Sequence, residues 1–119
     1  MEHIRGIGKL KAYSPSLSID QFRILRRFTL EHEGRYATIH CQLATVQFDP
    51  PLAMDLRFDR VSGVKIDGWG GSQSGIGGFA VIDISGKGWE GIAWEVIDYE
   101  EGQVHWYAED WQILDVTEV

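Results

Sequence analysis

A chain of 119 residues, 44% hydrophobic and 24% charged, has the composition of one folded domain, large enough for a single core and too small for two. Its formal charge of −7 excludes general nucleic-acid binding, which needs a cationic surface to release phosphate counterions. The charge is uneven: residues 1–40 hold seven Lys and Arg against four Asp and Glu, whereas residues 41–119 hold four against fourteen.

Residues 1–20 read as loop-like, with Gly6, Gly8 and the run Tyr13-Ser14-Pro15-Ser16, and a short edge strand is expected around Gly8 to Tyr13. Met1 to Gly6 lacks the apolar centre of a secretory signal. No apolar run approaches the roughly 20 residues of a membrane-spanning helix. Cys41 has no second cysteine with which to pair, so a cytoplasmic location is the expectation. The first strong strand signal is FRILRRFTL, where Phe22, Ile24, Phe28 and Leu30 define a buried face that Arg26 interrupts. His32-Glu33-Gly34 turns the chain into a long strand, Arg35 to Phe48, with Ala37, Ile39, Cys41 and Leu43 on one face and Thr38, His40 and Gln42 on the other. Asp49-Pro50-Pro51 stops that strand, because proline cannot donate to a ladder.

Leu52, Met54, Leu56 and Phe58 then alternate with Ala53, Asp55 and Arg57, a half-buried strand ended by Ser62-Gly63. Val64 and Ile66 form a short strand leading into the glycine-rich residues 68–78. Phe79 to Ile84 is another strand, closed by Ser85-Gly86-Lys87-Gly88. No long 3.6-residue repeat occurs, so little helix is expected beyond a short turn near Ser16 to Gln21 or Ser85 to Glu90. Gly88 to Val116 reads as a β-hairpin about Asp98 to Gly102 and holds Trp89, Trp94, Trp106 and Trp111. Trp94 and Trp106 lie equally far from that turn, which predicts a cross-strand aromatic pair. Seven or eight short strands with one apolar face each predict a single all-β domain over residues 1–119, an antiparallel β-sandwich, with a partly open barrel as the alternative. Successive hairpins predict mostly neighbour-to-neighbour pairing.

Few motifs carry chemistry. Gly75-Ile76-Gly77-Gly78-Phe79-Ala80 formally fits G-x-G-x-x-A, but a strand follows where a phosphate-binding helix would have to start. The segment therefore reads as a connection between strands. Trp69 within it is a candidate protein anchor or sugar-stacking ring, or equally a lid over the core. His3, His32, His40 and His105 show no zinc spacing, so neither metal nor cofactor is expected. His40 and Cys41 point to opposite faces of one strand and cannot act as a dyad, although His40 and His105 could meet across strands. Asp55 and Asp59 do not form a glycosidase pair, and no serine elbow is present. No catalytic residue is assigned and no enzymatic activity is expected. Asp98, Glu100 and Glu101 crowd the last hairpin turn, with Glu109 and Asp110 just beyond it. They are the candidate contact residues for a basic partner.

The segments VSGVKI and GWEGIAWEVIDYEEGQVHWYAEDWQI resemble small bacterial all-β proteins of uncharacterised function, which share a strand ending near V-S-G and a terminal D-Y-E-x-G hairpin. In size, acidity and architecture the chain is also similar to immunity proteins of bacterial toxin systems. Neither resemblance carries a site residue. The first reading is a non-enzymatic protein-interaction module of immunity type with a basic protein partner. The alternative is a small-ligand or carbohydrate-binding domain using Trp69 and nearby tryptophans. A homodimer through an unprotected edge strand is also open.

Overall fold

The computed structural model describes residues 4–67, 79–98 and 104–119. Eight strands are formed: β1 Phe22–Glu33, β2 Tyr36–Thr45, β3 Leu52–Asp59, β4 Ser62–Ile66, β5 Phe79–Asp83, β6 Trp94–Asp98, β7 Val104–Ala108 and β8 Asp110–Glu118. They build two antiparallel four-stranded sheets, A in the order β1-β2-β3-β8 and B in the order β4-β7-β6-β5. The sandwich is thus realised; the sheets do not close into a barrel. Single 3-10 turns stand at Ile19–Gln21 and Ser85–Lys87, both within the stretches expected to turn.

The core lies between the sheets. Ile39, Cys41 and Leu43 of β2, Leu52, Met54, Leu56 and Phe58 of β3, and Trp111, Ile113 and Val116 of β8 face Val96, Val104, Trp106 and Ala108 of sheet B. A chain of rings ties the two layers together. Phe58 stacks on Trp111 at 5.6 Å and meets Trp106 edge-on at 5.3 Å, while Trp94 meets Trp111 edge-on at 5.8 Å. Such tilted and offset contacts suit the ring quadrupoles. The indole N–H groups of Trp106 and Trp111 find no acceptor among the described residues, a desolvation cost that packing must exceed.

β1 departs from simple alternation. Its register against β2 slips between Phe22 and Ile24 and again between Leu25 and Arg27. Each bulge adds one residue and flips those that follow. The core-facing set is therefore Phe22, Leu25, Phe28 and Leu30, while Ile24 is exposed. Arg26 does not interrupt the apolar face after all, because it is spent within the second bulge.

The expected edge strand at Gly8 to Tyr13 is instead a one-turn helix, α1 Ile7–Lys11. Ile7 and Leu10, three residues apart, share the face that reaches the core. The segment covers the edge of β8: the Ile113 N–H donates to the Arg5 carbonyl at 2.9 Å and the Lys9 ammonium to the Leu114 carbonyl at 2.6 Å. Gly6 makes the approach possible. Its φ is +86°, and a Cβ there would lie 2.0 Å from the Ile113 carbonyl oxygen.

Pairing is only partly neighbour to neighbour, since β3 pairs with β8 and β4 with β7. The chain leaves sheet A at Arg60-Val61 and returns to it at Glu109. Both oxygens of Glu109 accept from Arg60 Nη1, at 2.9 and 3.0 Å, and the Glu109 N–H donates to the Asp59 carbonyl at 3.1 Å. The two crossings are thereby clamped into one corner.

Candidate functional site

The outer faces of the two sheets differ in kind. On sheet A the outer side of β2 and β3 carries polar groups paired to one another: Gln42 donates to Asp55 at 2.9 Å and Arg57 to Asp59 at 2.9 Å. On sheet B, alternation that buries Val96, Trp106 and Ala108 turns Glu95, Ile97, His105 and Tyr107 outward, with Ala80 and Ile82 beside them on β5.

A line of contacts runs across this face. His105 Nε2 and Glu95 Oε2 are 2.8 Å apart, and the imidazole meets Tyr107 edge-on at 4.8 Å. Tyr107 in turn meets Trp89 edge-on at 5.7 Å, and the Lys87 ammonium sits 5.5 Å from the Trp89 ring centre. Gly63 on β4 leaves room for the phenol ring, since a Cβ there would lie 3.3 Å from Tyr107. Trp89 is 47% exposed although its lower edge is packed. Glu95 can fix the orientation of His105, and among the described residues the imidazole's ring neighbour is Tyr107, which it meets edge-on.

Of the residues singled out from sequence, the described ones are Asp98, Glu109 and Asp110, and the last two share one depression. Trp69, Glu100 and Glu101 lie outside the described residues, as does the glycine-rich stretch 68–78. Asp98 is 1% exposed and engaged within the molecule, at the end of β6 opposite Phe79. It belongs to the interior, not to an acidic surface. Glu109 serves the corner clamp, and Asp110 is ion-paired with Arg5. Both line a depression of about 430 Å³ with Glu33, Tyr36, Asp59 and Arg60, where the guanidinium of Arg60 lies 4.9 Å above the Tyr36 ring. Its Asp59, Glu109 and Asp110 carboxylates thus already have arginine partners. Among the described residues no group of carboxylates, histidines and cysteine has the geometry to hold a metal.

The four described tryptophans form no coplanar platform. Trp106 and Trp111 are buried, Trp94 is half-buried against Trp111, and only Trp89 of the described four is open. Nor are Trp94 and Trp106 a direct cross-strand pair: the register sets Trp94 opposite Ala108 and Trp106 opposite Val96. His40 and His105 lie on the outer faces of different sheets and do not meet. Sequence reasoning missed the Glu95–His105–Tyr107–Trp89 line. Its signal was present in the hairpin, whose outward set includes aromatic and aliphatic residues where charges alone would suffice.

Cys41 is ruled out as a nucleophile. Burial pushes its thiol well above the ordinary range, and the Asp55 carboxylate adds to that shift. Native protein is expected to leave Cys41 unmodified by an aromatic disulfide reagent that reacts fully once urea unfolds the chain; rapid native labelling would contradict this burial. The folded state favours the neutral thiol, so that stabilisation is complete below the unfolded thiol range of about 8.5 and is lost as the pH rises above it.

Comparison of the chain with family models, curated proteins and solved structures finds no significant match.

Proposed function

We propose that the protein is a non-enzymatic interaction module whose contact face is the outer side of sheet B and whose partner is a basic protein. One observation carries the reading: a sheet face free to be polar presents Trp89 and Tyr107 with Ile82 and Ile97 around a His105–Glu95 pair. Trp89 is exposed and Tyr107 half-buried beside it, and tryptophan and tyrosine are residue types that dominate binding energy at protein interfaces. Asp83 and Glu90 are exposed, Asp67 is exposed and paired with Lys65, and the chain from residue 41 onward is strongly acidic. That field favours encounter with a cationic surface, and an immunity-type role is consistent with it.

The test compares wild type with Trp89→Ala and with His40→Ala on the outer face of sheet A, each immobilised as bait for cell extract. The expected result is capture of a basic protein by wild type and His40→Ala, with affinity reduced about thirtyfold or more in Trp89→Ala. Its association rate should fall with added salt. Stability should fall by only about 1 kcal/mol in Trp89→Ala, because the half-exposed ring loses chiefly its edge contact with Tyr107. Equal capture by all three baits, or none by any, would defeat the reading. A glycan that shifts tryptophan emission through Trp89 would favour the carbohydrate alternative.

A further inference from the structure

The sandwich has four sheet edges, and they are not equivalent. The N-terminal segment covers β8, whereas β1, twelve residues long, pairs with β2 on one side and with no described strand on the other. We infer that residues 27–31 of β1 dock a second copy of this chain, the two strands running antiparallel about a two-fold axis at Thr29.

Three observations converge on that edge. Both bulges fall before Arg27, so the part that follows is regular and able to continue a ladder, while the bulged part is bent away from pairing. Arg27 and Glu31 are exposed and face uncharged neighbours on β2, Gln42 and Thr38. Neither side chain has an ion-pair or hydrogen-bond partner among the described residues. Leu30 is 40% exposed although it points to the core side of sheet A, next to Phe28, which packs on Trp106 at 5.9 Å.

Antiparallel pairing about Thr29 answers all three. Arg27 falls opposite Glu31 of the second copy, and Phe28 falls opposite Leu30, each twice by symmetry. The apolar inner face then runs on without a break into an eight-stranded sheet. Other arrangements do worse. Parallel pairing in register sets Arg27 against Arg27, and an axis at Leu30 leaves Phe28 against His32. One strand pair buries less than the roughly 1,200 Å² of a standard stable interface, so the dimer should dissociate on dilution.

Sedimentation equilibrium across micromolar to millimolar concentration tests this directly. The expected mass rises from 13.5 kDa towards twice that value. Arg27→Glu and Glu31→Arg, made singly, place like charges opposite each other and should each raise the dissociation midpoint about tenfold or more. The double exchange Arg27→Glu with Glu31→Arg should bring it back. Both substituted positions are exposed, and far-UV circular dichroism confirms folding of each variant before its run. A mass of one chain over the whole range overturns the inference. So does a dimer whose midpoint ignores Arg27→Glu, or one that the double exchange fails to restore.

Discussion

Gly6→Ala is expected to lower stability by about 3 kcal/mol, read as a fall in the urea midpoint. Two costs act together. The native φ of +86° lies in the left-handed region that a Cβ disfavours, by roughly 1–2 kcal/mol. The new methyl would also sit 2.0 Å from the Ile113 carbonyl oxygen, and that contact is backbone, so no side chain can swing aside. The N-terminal segment must lift from β8. It then loses the Ile113–Arg5 hydrogen bond and the burial of Ile4 and Leu10, which are 4% and 0% exposed. Gly8 is the control: it lies within α1 with nothing within 4 Å of a built Cβ. Gly8→Ala should be neutral or stabilising by about 0.5–1 kcal/mol through helix propensity. Equal midpoints for the two variants would show that the segment does not depend on close approach at Gly6.

Phe58→Ala should cost about 3–5 kcal/mol, the range for truncating a large aromatic in a close-packed core. Phe58 is fully buried and is the ring through which Trp111 of sheet A reaches Trp106 of sheet B. Its loss opens a cavity between the layers and breaks both ring contacts, so the near-ultraviolet dichroism of the indoles should weaken with the loss of stability. Phe58→Leu keeps most of the volume and should cost less than half as much. If Phe58→Ala costs under about 1 kcal/mol, the two sheets are not held together by this ring chain.

Much of the strand content was legible in order. Ala37 to Leu43 and Leu52 to Phe58 each read inward and outward as they stand in the sandwich, and the Asp49-Pro50-Pro51 stop separates them. β1 was legible as a strand but not in its faces, because the two bulges leave no mark in a list of residue types. Reading Phe22, Ile24, Arg26 as one face failed for that reason alone. The one-turn helix at Ile7–Lys11 was also out of reach: five residues are too few to be helical on propensity, and its stability comes from docking on β8.

The candidate site was less legible than the fold. Glu109 and Asp110 stand out as acids beside an acidic turn. Their partners, Arg60 and Arg5, are 49 and 105 residues away, and no local pattern connects them. Asp98 reads as a turn residue because it precedes Tyr99-Glu100, yet it shares the inner face with Val96 and is buried. Trp89 stands in sequence with the other tryptophans of its hairpin and nothing local sets it apart; the fold leaves its ring on Tyr107 and open to solvent.

By itself, the sequence determined the all-β class, the hairpins β1–β2 and β6–β7, and which side of β2, β3, β6 and β7 is apolar. These depend on period-two alternation and turn residues, which are local properties. Tertiary structure alone decided which sheet each strand joins. β7 and β8 are separated by Glu109 only, yet they lie in different sheets. Every strand of a sandwich carries the same inward and outward rhythm, so alternation names the buried side of a strand without naming its neighbour. Which edges are covered, which acids are paired and which tryptophan meets solvent all follow from that choice of neighbour.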